Sequence, residues 1–210
     1  MIIRSFTTSK NIAYFSKLTL FPRLIYKNEI IKLFKKNISW EQRKYSEIGI
    51  PLAGGNLSYA DLDDNGKYKC VLYGELYTRY DSVINCIVNK TNKEGTAIRK
   101  NDILFPQSTT VDALSLISPA CMNEESGQTA GVFVIRPFNE IDGNFVCYYT
   151  KGNFNQRYKL STKAQGLTIV HLYYQSIKDE TIFLPNLREQ KNISELFVKL
   201  DNLITLHQCK

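Results

Sequence analysis

Residues 184–204 read LPNLREQKNISELFVKLDNLI, and how this stretch folds decides how the rest of the chain is read. Pro185 closes the segment before it. Asn186, Leu187, Arg188 and Glu189 then have the layout of an N-cap followed by Glu at the third helical position, a capping box that opens a helix. Ile193, Leu196, Leu200 and Leu203 recur at gaps of three, four and three, and Phe197 and Ile204 widen the stripe. The spacing predicts a heptad-like seam on a C-terminal helix of about 25 residues, roughly 37 Å long at 1.5 Å per residue. A seam of this kind needs a cover, either its own domain or a second helix. Its place behind a Pro boundary at the chain end points to a second helix.

Upstream, from Trp40, the texture is different: short β-branched and aromatic segments broken by Gly, Asn, Asp and Pro. Strands are expected over 69–72, 82–88, 102–105, 131–136 and 167–173. A helix is expected from Gly143 to Thr150, ahead of the breaker Gly152. The mixture predicts an α+β class, a mixed α/β domain with a compact sheet followed by the coiled-coil-type helix. The 210 residues, 43% hydrophobic and 22% charged, suit one domain with an appended element. The expected divisions are a basic leader over 1–37, the domain over 38–184 and the helix over 185–210.

The net charge of +7 suggests nucleic acid until its position is considered. Residues 1–40 hold eight bases against Glu29 alone, and residues 41–210 hold 19 bases and 19 acids, so the surplus belongs to the first 40 residues. The first 28 residues have no acid and are rich in Ser, Thr and aromatics, a composition shared by transit peptides and by poorly packed leaders. Cys70, Cys86, Cys121, Cys147 and Cys209 form no CxxC pair and the chain has two histidines, which argues against zinc and for reduced thiols in a cytoplasmic protein. No apolar run is long enough to span a membrane.

Motifs for catalysis are sparse. Asp61 to Gly66 match the opening of a calcium loop, but Lys69 stands at its ninth position and Leu72 replaces the bidentate Glu at its twelfth, so the run reads as a solvated turn. Glu189-Gln190-Lys191 has the E-x-K shape of a nuclease metal site, yet Glu189 is accounted for by capping. No Gly-rich cofactor loop or Asn/Asp-Pro-Pro-aromatic motif is present, so no cofactor and no metal are expected. Binding chemistry is better represented. Residues 151–178 carry Lys151, Arg157, Lys159, Lys163 and Lys178 and no acid, interleaved with amides, hydroxyls and aromatics. Bases neutralise phosphates and amides read base edges, while Gly166 lets backbone approach a ligand.

Several stretches together resemble the specificity subunits of type I restriction-modification systems. They are Trp40-Glu41-Gln42-Arg43-Lys44, the run from Cys70 to Thr78, and Lys100-Asn101-Asp102-Ile103-Leu104-Phe105-Pro106, which is similar to the family's "kGDilfp". Ala164-Gln165-Gly166 and Val170-His171-Leu172 follow, and Leu184 to Ile193 is similar to the family's P-x-L-x-E-Q-x-x-I helix start. The resemblance covers about 40–210 and implies a non-catalytic reader of double-stranded DNA. A target recognition domain would contact half of a bipartite site, and a spacer helix would dock methyltransferase subunits and, through them, the restriction subunit. Family members carry two such units and this chain carries one, so by resemblance it is half-size and could pair with a second copy through the helix to read a symmetric site. Asn101 stands where the family usually has Gly, and the helix is shorter than the family's.

On this reading the residues expected at DNA are Arg157, Lys159, Lys163, Gln165, Gly166, Thr168, Gln107, Ser108 and Thr109, with Arg79 and Lys151 as further phosphate contacts. Those expected at the helix interface are Ile193, Leu196, Phe197, Leu200, Leu203 and Ile204. Tyr73, Tyr77, Tyr148 and Tyr149 are expected in the core. Two rivals stand beside this reading: a truncated remnant or decoy that binds methyltransferase through its helix without reading DNA productively, and a metal-dependent nuclease.

Overall fold

The computed structural model describes Lys27, Glu29, Ile31, residues 39–52 and residues 55–208, with side chains as far as Leu203. In chain order the first elements are β1 (Glu41–Lys44), β2 (Gly49–Leu52), β3 (Tyr68–Leu72), α1 (Glu75–Thr78), β4 (Val83–Ile84), β5 (Lys90–Thr91) and β6 (Thr96–Arg99). Then come β7 (Ile103–Pro106), β8 (Ser108–Thr109), α2 (Ala113–Leu116), β9 (Ala120–Met122), β10 (Ser126–Ala130) and β11 (Val132–Pro137). The last are α3 (Gly143–Gly152), α4 (Phe154–Ser161), β12 (Val170–His171), α5 (Tyr174–Ile177), β13 (Thr181–Leu184) and α6 (Leu187–Gln208). This is the α+β mixture expected from the sequence.

A five-stranded sheet, in the order β2-β11-β7-β9-β4, is antiparallel except for the parallel pair β4 and β9. Both of its faces are buried, which is why β7 reads as an unbroken apolar run instead of alternating with polar residues. Ile103 and Phe105 point with Phe133 and Ile135 toward α3, where Phe105 and Phe133 stack at 4.9 Å. Leu104 points the other way, with Val132 and Val134, onto Val71, Leu76 and Ile98. The second core lies against a four-stranded sheet ordered β5-β3-β10-β6.

Two of the passages between the two sheets turn through a left-handed backbone position. Gly131, between β10 and β11, has φ +68° and sits so close to Tyr73 that a Cβ would lie 2.6 Å from the ring. Asn101, between β6 and β7, has φ +74°. This explains an apparent departure from the family pattern: the position calls for left-handed backbone, which Gly adopts freely and Asn tolerates better than most residues. Asn101 adds bonds that Gly has no side chain to make. Its Oδ1 accepts from Gly143 N at 2.7 Å and its Nδ2 donates to Ile141 O at 3.0 Å, pinning the start of α3 to the sheet crossing.

The expected strands over 82–88 and 167–173 pair only at 83–84 and 170–171. In the first, Ile87 N turns to the Glu124 carboxylate instead of a neighbouring strand. In the second, a tight turn at Gly166 takes the preceding residues out of register. Tyr148 and Tyr149 are buried as expected, Tyr77 is half-buried, and Tyr73 is partly exposed. The domain core also reaches into the stretch read as a basic leader. Ile31 is buried in the α3 core, and the Lys27 ammonium, 2% exposed, lies 3.1 Å from both Asp81 and Asp201 and over the Tyr148 ring.

Candidate nucleic-acid interface

Two sequence-distant stretches expected to contact DNA come together in one ribbon, half-buried along its strands and exposed at the turn over 165–169. β8 pairs antiparallel with β12, with Ser108 opposite His171 and Thr109 opposite Val170. On its other side β12 meets Gln165, which exchanges backbone bonds with His171 at 2.8 and 2.7 Å. The turn between them closes on Gly166 at φ +117°, where a Cβ would lie 2.0 Å from Ile169 O; only glycine fits. Gln165, Gly166 and Thr168 are therefore held on the surface by a fixed frame. Gln107 anchors that frame, donating to Gly131 O and accepting from Leu172 N, and the Tyr77 hydroxyl donates to Ser108 O. Thr109 differs from its neighbours: its side chain is buried and accepts from Val111 N, so it shapes the turn and does not face solvent.

The expected cations are less free than the acid-free run 151–178 implied. Lys151 is a correction. It is buried, donating at 2.8 Å to Asp81 O and pairing at 2.9 Å with the Asp81 carboxylate, so it is withdrawn from any phosphate. Burial lowers the Lys151 pKa despite the attraction of Asp81. Burial alone would raise the Asp81 carboxyl, but Lys151 and Lys27 outweigh it and hold the group far below the usual carboxylate range. Lys159 and Lys163 both lie 2.7 Å from Glu180, whose carboxyl they hold down by hydrogen bonding. Two ammoniums on one carboxylate leave a local positive surplus. The Arg157 guanidinium, its pKa lowered by burial, donates to Leu114 O and ties α4 to α2 behind the ribbon. Arg79 is exposed just beyond α1, 3.6 Å from Glu75.

Sequence reading missed the apolar end of this ribbon. Leu167 is 100% exposed, Val111 65% and Ile169 48%. The signal was present, but β-branched residues around Leu167 read as strand, which hides a turn. The Asp61–Gly66 run is a turn in which two of the three carboxylates are taken by the protein: Asp61 by Ser58 and Lys93, and Asp63 by Asn65 and Asn92. Among the described residues no cluster of three metal-ligating side chains occurs, and no helix is long and apolar enough to cross a membrane.

The predicted helix begins where the capping pattern put it, with Glu189 N donating to Asn186 Oδ1 at 3.1 Å. Its seam divides between two faces. Ile193 and Phe197 are fully buried in the domain's own core, where Phe197 stacks on Tyr148 at 5.0 Å, a correction to their expected place at an interface between helices. Gln190 locks this face, its Oε1 accepting from Asp142 N and its Nε2 donating to Pro185 O. Ser194 donates at 2.6 Å to the Asp142 carboxylate. Leu196 and Leu203 are exposed and Leu200 is half-buried; the Ile204 side chain lies outside the described residues.

The sequence model of the type I restriction modification DNA specificity domain matches residues 37–210. The chain belongs to this family. Its members are non-catalytic DNA-recognition proteins. The motifs shared with the specificity domain have structural sense: Trp40 packs on Phe145 and Tyr149, β1 pairs with β13, and Gln190 clamps α6 onto the N-terminus of α3.

Solved specificity subunits have the same fold. The S subunit from M. genitalium matches with a TM-score of 0.56 and 18% identity, covering 79% of this chain and 40% of that one. The HsdS subunit from Thermoanaerobacter tengcongensis matches at 0.56 and 11%, covering 91% and 48%. A chain from a structure concerned with complex assembly and conformational transition of the type I R-M system matches at 0.64 and 13%, covering 94% and 49%. The chain thus spans less than half the length of each. No curated protein sequence matches it.

Proposed function

We propose that this chain is a DNA-reading unit of a type I restriction-modification complex, giving methyltransferase and restriction subunits their target in the cytoplasm. The observation that carries the proposal is the ribbon that brings the half-buried Gln107 and Ser108 together with the exposed turn bearing Gln165, Gly166 and Thr168. A two-stranded ribbon is narrow enough for the major groove of B-DNA, where amide and hydroxyl side chains read base edges. Lys159, Lys163 and Arg79 flank it as phosphate contacts, which set position without carrying sequence. The exposed face of α6, bearing Leu196, Leu200 and Leu203, docks a partner helix, from a methyltransferase subunit or from a second copy of the chain. A second copy would present two inverted ribbons and read a symmetric site.

A second reading, a docking protein that reads no DNA productively, draws support from the ion pairs that occupy Lys159 and Lys163. Binding of labelled duplexes by the chain assembled with its methyltransferase separates the two. The DNA reader loses affinity steeply as salt rises, with a log–log slope of about −0.9 per phosphate contacted, yet one sequence resists competitor DNA. Uniform competition by all sequences supports the docking protein instead.

A further inference from the structure

Resting on that reading, we infer that the apolar tip of the ribbon, Leu167 with Ile169 and Val111, reads the C5-methyl groups of thymine, so that the half-site contains at least one T·A pair at a fixed position. The strand register brings the three side chains to one end. Thr109 lies opposite Val170, so the chain leaves β8 toward Val111 at the same end of the ribbon at which Leu167 and Ile169 lead into β12. All three are exposed, Leu167 completely, and a side chain with no neighbours contributes no packing to the free chain. The turn that presents Leu167 is held by the paired Gln165 and His171 and by a position that admits only glycine, so the side chain is displayed on a fixed frame.

The surroundings select the occupant. Lys159 on α4 and Lys163 just beyond its end set two ammoniums against the single carboxylate of Glu180, and that net positive patch favours a polyanion over an apolar protein surface. The polar neighbours Gln165 and Thr168 suit base edges. On the major-groove edge of DNA, the apolar group that a base displays is the thymine methyl, absent from cytosine and from both purines. An apolar tip beside amides and hydroxyls is therefore a detector for thymine.

The test is selection from a random duplex library by the chain assembled with its methyltransferase, run once with thymidine and once with deoxyuridine, which pairs identically but lacks the methyl group. With thymidine a motif containing a fixed T·A pair is expected; at that position deoxyuridine should weaken binding about fourfold for each methyl buried. Leu167→Ala should keep the rest of the motif and lose the discrimination between thymidine and deoxyuridine. A motif without a fixed T·A pair, equal affinity for both libraries, or unchanged discrimination in Leu167→Ala and in the double variant Leu167→Ala/Ile169→Ala overturns the inference while leaving the DNA-reading proposal intact. Enrichment of no motif at all overturns both.

Discussion

Asn101 shows how much a single residue can carry here and how little of it is visible in one sequence. The resemblance to the family marks the position as unusual, but the reason needs the backbone: φ is +74°, and the side chain bridges Ile141 O and Gly143 N. Asn101→Gly keeps the permitted backbone and loses both bonds. Asn101→Ala loses the bonds and also carries a left-handed cost. Urea denaturation is expected to show about 1–2 kcal/mol of destabilisation for the first and about 2–4 kcal/mol for the second. Equal losses would mean that the turn is not strained for an ordinary side chain. Gln190 was equally opaque, because a glutamine in a first helical turn gives no sign that both ends of its amide are bonded inside the domain.

At the scale of elements, α6 was legible as a helix and as a seam, since its cap and apolar period are local properties. The division of that seam was not legible, because it depends on where α3 lies. Ile193 and Phe197 face α3, while Leu196, Leu200 and Leu203 turn away. The two faces are expected to respond differently to mutation. Phe197→Ala should cost about 3–5 kcal/mol of stability by opening a cavity against Tyr148. Leu196→Asp should leave stability within about 0.5 kcal/mol and abolish self-association or methyltransferase capture. Light scattering reads the self-association; an unchanged mass, together with unchanged capture, would contradict the assignment of the outer face. The ribbon behaved in the opposite way. Its site residues could be picked out by composition, but their meeting in space depends on β8, too short to be recognised as a strand from sequence, and on its pairing with β12, which occupies only part of the strand expected over 167–173.

For the whole molecule, the position of charge matters more than its total. The +7 surplus lies in the first 40 residues, yet one of those bases, Lys27, is a buried structural group joined to Asp81 and Asp201. Lys151 and Lys27 together hold the Asp81 carboxyl far below its unfolded value. The sign follows from that depression: the contribution of ionised Asp81 is fully present above the unfolded pKa of about 3.9 and is lost as pH falls below it toward the depressed folded value. Urea midpoints measured from pH 7 to pH 3 should therefore fall for the native chain and fall less for Asp81→Asn, which should start from a lower midpoint at pH 7. Parallel slopes would show that other carboxylates control acid stability.

The central claim is that the β8/β12 ribbon supplies sequence specificity to a methyltransferase. Genome-wide methylation mapping in cells expressing the chain with its methyltransferase tests this most directly, comparing the native chain with Gln165→Ala/Thr168→Ala. The native chain is expected to produce one defined methylated motif, and the variant a motif relaxed at particular positions with assembly intact. Methylation at the same motif with undiminished selectivity in the variant, or no defined motif with either protein, would contradict it.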